Sequence, residues 1–467
     1  MAARERNARR ILRGNAGRSA RPDGKGMATR IMNRFSMMSM RPFTLSCALA
    51  FAICATSLPS LAQPATAAAP AGTATSALPN PLAAPAKSAA VAAAVPAATA
   101  PILTPPAQIP GAPATPTVDA AAWALVDMLS GQILASSNAD DRREPASLTK
   151  LMTTYLVFQA LKAKTIDLAQ VVPVSENAWR TGGSRMFIEP RKPVTVDELI
   201  HGVIVQSGND ATVALAELIA GSTDAFVDRM NREAAKLGLN GTHYADVNGL
   251  PSPQHYSTAD DIAKLTVALI RDFPEYYPIF AIKEYRYNNI TQSNRNRLLW
   301  SDPTVDGVKT GHTEAAGYCL VASAKRGERR LIAVVLGANT DSGRAAESQK
   351  LLNWGFQSFD TVALYQSGKP VTTLRVWKGA AKAVPAGFLA ARYVTLPKGE
   401  AANLRLTLES KEPLIAPVLA SQPVGVVKVS LKGQPIAQFP LIALEEVPLA
   451  SLFGRALDTV RLWFSSR

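Results

Sequence analysis

Between residues 63 and 118 the chain contains 12 Pro and 21 Ala, with Lys87 its one charge and no aromatic residue. Proline at this density interrupts any continuous helix or strand ladder. Methyl-sized side chains offer little apolar area from which to build a core. The segment reads as a semi-extended, low-complexity tether. It divides the 467-residue chain, so that any sizeable core must come from residues 119–467. That length is enough for more than one domain.

The part ahead of the tether reads as an address. Residues 1–42 hold 11 Lys/Arg against Glu5 and Asp23, and 43–62 carry no charge. A short apolar run at 43–57 follows Arg41 and ends at Ser60-Leu61-Ala62, a small-x-small pattern ahead of Gln63. Residues 1–62 are therefore expected to be an N-terminal extension with a secretory signal peptide. The run is short for a membrane span; a retained anchor is the other reading, and in both the bulk of the chain leaves the cytoplasm. Met27, Met37 and Met40 are alternative starts. The formal net charge is +14, and setting aside the nine net charges of 1–42 leaves +5. With no zinc-finger spacing and no long basic helix, nucleic acid is not an expected partner. Cys319 is the one cysteine beyond residue 62, and the four His show no HExxH, so no disulfide, metal or cofactor is expected.

Order is expected from about residue 120. Apolar runs at 123–128 and 132–136 flank Ser130-Gly131 as in a β-hairpin. From Ser147 to about Leu161, Leu148, Leu151, Met152, Tyr155, Leu156 and Phe158 outline a largely buried helix. Further helices are predicted over 195–205, 210–220, 224–237 and 259–271. Strands return at 307–311, 317–324 and 331–337, and a helix over 344–354 follows. Strands, a helical insertion, strands and a helix make one α+β layered domain over 119–360. Short alternating runs at 371–377, 392–396, 404–408, 425–431 and 436–440 then suggest a small β-sandwich-like domain over 361–446.

Three motifs fall in order on this frame. Ser147-Leu148-Thr149-Lys150 is an S-x-x-K at a helix start, Ser207-Gly208-Asn209 lies in an interhelical loop, and Lys309-Thr310-Gly311 lies on a strand. A serine hydroxyl needs a proton acceptor to attack a carbonyl. Positions i and i+3 share a helix face, so Lys150 can reach Ser147. A buried amine near other cations can give up its proton and act as the base, and the helix N-terminus adds positive potential. Ser207 can relay a proton to a leaving nitrogen, Asn209 can hold a substrate amide, and Lys309 and Thr310 can bind a carboxylate. Strand N–H groups can complete an oxyanion hole. S-x-x-K alone is uninformative, with roughly one or two chance matches in a chain this long. The ordered set of three carries the weight. Taken singly, each motif has a structural alternative: a helix cap, a turn and a solvated strand lysine.

The set resembles the signature of class A β-lactamases and penicillin-binding proteins. Longer stretches are similar to the low-molecular-mass penicillin-binding proteins that are serine-type D-alanyl-D-alanine carboxypeptidases. They are Glu144-Pro145-Ala146-Ser147-Leu148-Thr149-Lys150, Gly183-Ser184-Arg185-Met186-Phe187, Ser207-Gly208-Asn209-Asp210-Ala211 and Asp306-Gly307-Val308-Lys309-Thr310-Gly311-His312-Thr313. Ala316-Gly317-Tyr318, Gly343-Arg344 and Leu351-Leu352-Asn353-Trp354-Gly355-Phe356 continue the likeness. It covers about 120–360 strongly and the remainder by layout, and it does not reach the tether or the basic extension.

The resemblance implies a β-lactamase/transpeptidase-like catalytic domain, an antiparallel sheet with helices. It implies a peptidoglycan stem peptide ending in D-Ala-D-Ala as substrate. Ser147 would be acylated with release of the terminal D-Ala, and water would free the shortened peptide. Lys150 would be the base, and Ser207 with Lys309 a second proton relay beside Asn209. The N–H groups of Ser147 and His312 would form the oxyanion hole. Thr310, Gly311 and Arg344 would surround the terminal carboxylate, and β-lactam antibiotics would acylate Ser147 as mimics. Arg344 has the alternative of a surface residue in a first helical turn. His255 has a general base as its other reading and is expected to be a polar loop residue, and Cys319, in an apolar strand, reads as core rather than as a nucleophile.

At the C-terminus Leu449, Leu452, Phe453, Leu457, Val460, Trp463 and Phe464 recur at helical spacing between Arg455, Arg461 and Arg467. This predicts an amphipathic helix over 447–467 on a membrane surface, as such carboxypeptidases commonly have; packing on the β domain is the alternative. The expected location is peripheral, on the periplasmic face of the cytoplasmic (inner) membrane. Three other functions are compatible with parts of the same motif set. A β-lactamase would need a dedicated deacylating carboxylate, a D,D-endopeptidase would use the same residues, and a non-catalytic wall-binding scaffold would not need Ser147, Lys150, Ser207 and Lys309 together.

Overall fold

The computed structural model describes residues 109–465. The expected signal peptide, and the tether up to residue 108, lie outside the described residues. The last ten residues of the Pro/Ala segment run against the first domain. Ile109 is buried, and Trp354 Nε1 and Lys350 Nζ donate to the carbonyls of Ala114 (3.1 Å) and Thr117 (2.9 Å).

A five-stranded antiparallel sheet organises that domain. Its order is Ile133–Ser137, Ala122–Asp127, Arg329–Ala338, Gly317–Arg326 and Val305–Thr313. Ala122, Ala124 and Val126 enter a core shared with the helical insertion, whereas Trp123 and Leu125 enter one on the opposite side. The period of two thus feeds two buried faces, which explains why these strands read as continuous apolar runs. Lys150–Lys162, Asn209–Ala220 and Ala259–Asp272 supply the first core. Asp341–Ser358, capped by Thr340 and longer than the predicted 344–354, covers the other.

Two helices begin or end differently from their patterns. The helix expected from Ser147 opens with a 3₁₀ turn, Ala146–Thr149, before the α-helix Lys150–Lys162. The helix expected over 195–205 is α-helical at Val196–His201, behind a Thr195/Glu198 capping box, and π-helical at Gly202–Gln206. Hydrophobic periodicity cannot distinguish these helix types over one turn.

The C-terminal β region contains a six-stranded sheet and a two-stranded pair, Phe359–Tyr365 with Arg392–Pro397. Ala383–Gly387, a central strand of the larger sheet, escapes sequence reading because its Pro and Gly signal a turn. The apolar core behind the five-stranded sheet continues into this region through Phe359, Val394, Leu396 and Val429. A polar network seals the same junction. Arg329 donates to Asp127 (3.0 Å) and Thr361 (2.7 Å), and Gln132 exchanges hydrogen bonds with the backbone of Thr395. Asp127 is completely buried, so removing Arg329 would strand a charge, a change that costs roughly 3–5 kcal/mol in such settings.

The last helix, Leu452–Ser465, docks through a polar contact: the buried Asp458 carboxylate accepts the Lys378 N–H at 2.9 Å. Its large apolar side chains point elsewhere, with Leu452 and Phe453 79% and 82% exposed. Leu457, Val460, Trp463 and Phe464 are exposed too. Packing of this apolar stripe on the β domain is therefore not what the structure shows. Among the described residues no helix is long and apolar enough to cross a membrane.

Candidate active site

The three motifs meet at one edge of the sheet. Gly311 makes the closest approach possible. A Cβ there would lie 3.0 Å from the Pro145 carbonyl oxygen and 3.2 Å from Ser147 N. The Lys309-Thr310-Gly311 strand can therefore rest directly against the turn that carries Ser147.

Lys150 follows Ser147 by three residues, and its Nζ donates to Ser147 Oγ at 3.0 Å and to the Asn248 carbonyl at 2.8 Å. The side chain is buried, and burial is the main force lowering its pKa to about 7. Arg295 pushes the same way, whereas Asp246 and Asp210 oppose. An amine in this state can accept a proton near neutral pH.

Ser207 ends the π-helical turn in a left-handed conformation, φ 62°. A non-glycine residue in that region is uncommon and is sustained by its surroundings. Lys309 Nζ donates to Ser207 Oγ at 2.9 Å and to the Thr310 carbonyl at 2.9 Å. Burial first, then the neighbouring Lys150, Arg295 and Arg344, hold the Lys309 pKa well below the usual lysine range. Two Ser–Lys pairs thus share one electropositive pocket.

A cleft of about 250 Å³ brings Ser147, Ser207, Thr310, Gly311, His312 and Arg344 together. His312 is exposed, with its ring 4.1 Å from that of Tyr318. Arg344 is not a surface residue: it is buried and donates to the Gly311 carbonyl (3.0 Å), the Cys319 carbonyl (3.4 Å) and Asp341. Lys150, Lys309 and Asn209 stand behind the wall of the cleft. Asn209 Nδ2 donates to the Gly182 carbonyl at 2.8 Å, and its N–H donates to the Ser184 carbonyl at 2.7 Å. Larger hollows of about 460 and 520 Å³ occur on the same domain, and neither is lined by a serine.

Several site residues had no role assigned from the sequence. The Asp210 carboxylate accepts the N–H groups of Met186, Phe187 and Ile188 at 3.0, 2.8 and 3.2 Å. It hangs the Gly183–Phe187 segment, and Ser184 with it, beside the cleft; its position directly after Ser-Gly-Asn was the available signal. Arg295 and Tyr318 also line the cleft. Arg295 is framed by the buried Asn294 and Asn296, a pattern with no recognisable period. His255 lies in a loop as expected but is buried, bonded to Thr149. Cys319 is core, its thiol pushed up to about 11 by burial. The deacylating carboxylate that a β-lactamase would need is not supplied by the E-x-x-x-N spacing of Glu284 and Asn288, which an expectation of no such motif between Ser207 and Lys309 overlooked: Glu284 is an exposed hairpin residue bonded to Ser293. The carboxylate lining the cleft is Asp341, engaged by Arg344 and Arg297. Among the described residues no group of three His, Cys, Asp or Glu could hold a metal ion.

An antiparallel sheet flanked by helices, with two Ser–Lys pairs at its edge, defines an acyl-transfer serine enzyme. The chain belongs to the D-alanyl-D-alanine carboxypeptidase family, peptidase S11, whose profile matches residues 109–340. A second profile, the C-terminal domain of penicillin-binding protein 5, matches residues 359–449. The D-alanyl-D-alanine carboxypeptidase DacC of Escherichia coli is 49% identical over 363 residues, spanning 75% of this chain and 91% of that protein. DacF of Bacillus subtilis is 36% identical, spanning 73% of this chain and 88% of that protein. Among solved structures, penicillin-binding protein 5 of Haemophilus influenzae superposes with a TM-score of 0.70 at 42% identity, spanning 72% of this chain and 99% of its own.

Proposed function

We propose that this chain removes the terminal D-Ala from peptidoglycan pentapeptide stems through an acyl-enzyme on Ser147. The observation that carries the reading is the Lys150 amine, lowered to about 7 and 3.0 Å from Ser147 Oγ. Ser147 Oγ attacks the carbonyl of the penultimate D-Ala while Lys150 takes its proton. The N–H groups of Ser147 and His312 hold the oxyanion. Ser207, with Lys309 behind it, passes a proton to the departing amine, and D-Ala leaves. Water then attacks the ester, and Ser147 regains its proton. Thr310 and Arg344, beside Gly311, receive the terminal carboxylate; Asn209 orients the peptide and, through Gly182 and Ser184, the cleft wall. Endopeptidase cleavage of crosslinks would use the same residues with a different leaving amine. Penicillin acylates Ser147 by the same route.

Incubation of the purified chain with diacetyl-Lys-D-Ala-D-Ala should release free D-Ala, and a fluorescent penicillin adduct should map to the peptide containing Ser147. A folded protein that releases none, or an adduct on another residue, would overturn the assignment.

The chemistry belongs to 119–360, and the β domain over 361–446 acts as a spacer toward an anchor at 447–467. Export, with cleavage after Ala62, places the enzyme on the periplasmic face of the inner membrane. The exposed stripe of Leu452, Phe453, Leu457, Val460, Trp463 and Phe464 supports the anchor. Burying one such side chain contributes on the order of 1.5–3 kcal/mol, so partial insertion of six suffices for firm peripheral attachment. Arginine attraction to anionic lipid is screened by salt. Envelope protein is therefore expected to begin near Gln63 and to stay membrane-bound in high salt. Deletion of 447–467 should release it with D-Ala release from a soluble peptide intact. A processed, truncated chain that still sediments with membranes would refute the anchor.

A further inference from the structure

A hydrogen-bond chain behind Ser147 takes no part in the steps above. The Ala245 N–H donates to His255 Nδ1 at 3.2 Å, which leaves the ring proton on Nε2. Nε2 lies 2.8 Å from Thr149 Oγ1, and the Thr149 hydroxyl donates its own proton to the Ala146 carbonyl, also at 2.8 Å. Donors and acceptors run in one direction from Ala245 to Ala146. His255 and Thr149 are 2% and 1% exposed, so solvent does not compete for these bonds. Burial, helped by the nearby His243 and Lys150 against Asp246, lowers the ring pKa to about 4 and keeps it neutral.

The Ala146 end of the chain is unusual. Ala146 has φ 48°, in the left-handed region that side-chain-bearing residues seldom enter. Its carbonyl is pressed against Gly249, where a Cβ would come 1.8 Å from the oxygen. A trans peptide is a flat plate, with the carbonyl of one residue and the N–H of the next pointing opposite ways. Holding the Ala146 carbonyl therefore sets the direction of the Ser147 N–H. A threonine bonding back three residues is common in a tight turn. A buried histidine 106 residues away that orients that hydroxyl is not part of such a turn.

We propose that His255 and Thr149 are positioning residues for the oxyanion hole: together they clamp the Ala146–Ser147 peptide so that the Ser147 N–H faces the developing oxyanion. Neither side chain needs to touch the substrate. This rests on the reading of Ser147 as nucleophile, which the adduct map tests separately.

The test uses the purified chain and the near-isosteric Thr149→Val, with Thr149→Ser, His255→Phe and the Thr149→Val/His255→Phe double variant. Removing an oxyanion donor costs about 10²–10³-fold, and misdirecting one should cost less, about 10–100-fold in acylation rate at saturating penicillin. Half-saturation should move by less than about twofold, because the interaction matters in the transition state. The infrared carbonyl band of the acyl-enzyme should shift to higher frequency as its hydrogen bond weakens. Thr149→Ser should restore rate and band, and the double variant should be no slower than the slower single one. Folded Thr149→Val with wild-type rate and band would overturn the proposal. So would a rate loss with an unmoved band, or losses that multiply in the double variant. If Thr149→Val does not fold, rate and band in His255→Phe decide the matter.

Discussion

Ser147→Ala is expected to abolish covalent penicillin labelling and to lower D-Ala release by roughly 10⁴–10⁶-fold, as removal of a serine nucleophile does elsewhere. No other nucleophile in the site is equivalently placed. Cys319 is buried and its thiol is pushed up to about 11, so thiolate is scarce at neutral pH. Ser207 has its own lysine at 2.9 Å and is the one credible substitute. It lies just ahead of the Gly208 cap of the Asn209–Ala220 helix, however, whereas Ser147 lies inside the first turn of its helix, whose N–H groups favour a developing negative charge. Ser207→Ala should therefore still label, more slowly. Because Ser147 lines an open cleft, its loss should change stability by about 0.5 kcal/mol or less. Labelling of Ser147→Ala near the wild-type level would reassign the nucleophile.

Lys150→Met and Lys150→Arg should each slow acylation by about 10²–10⁴-fold, the usual contribution of a general base. The pair separates two roles. Methionine keeps much of the shape and removes the amine. Arginine keeps a cation near Ser147 but stays protonated throughout the accessible pH range. If Lys150 served only to attract an anionic substrate, arginine would rescue; as a base it should not. The pH profile follows from the same physics. Burial favours the neutral amine, bringing the Lys150 pKa down to about 7. The reactive, unprotonated form therefore accumulates as pH rises through 7, and acylation should climb with it. Well below that value the rate should fall about tenfold per pH unit as protonation takes over. Stopped-flow penicillin acylation from pH 5.5 to 9 reads this directly. A flat profile, or Lys150→Met within tenfold of wild type, would remove Lys150 from the role of base.

Much of this enzyme is written in short-range patterns. The interval of three residues that lets Lys150 reach Ser147 is a property of helical geometry, and the structure realises it at 3.0 Å. The continuous apolar runs that mark the strands of the five-stranded sheet, and the stripe that leaves Leu452, Phe453 and Phe464 exposed, are likewise local. Local periodicity survives because it follows from the backbone repeat. It does not specify which faces meet. Arg344 could be read as a first-turn surface residue until the sheet brought the Gly311 and Cys319 carbonyls to its guanidinium. Ala383–Gly387 looks like a turn, yet pairing on both sides holds it as a central strand.

By itself the sequence determined the ordered motifs, the helical turn that spaces the first Ser–Lys pair, the α+β region with a β-rich region after it, and the amphipathic end. Tertiary structure alone decided how acidic the two lysines are, because that depends on burial and on cations that reach the pocket from other segments. It also decided the supports of the site. Asn248 holds Lys150 from 98 residues away, Asp210 holds a loop 22 to 24 residues before it, and His255 reaches Thr149 across 106. Contacts over such separations leave no periodic trace in the chain, because they form when packed elements bring distant backbone and side-chain groups within hydrogen-bonding distance.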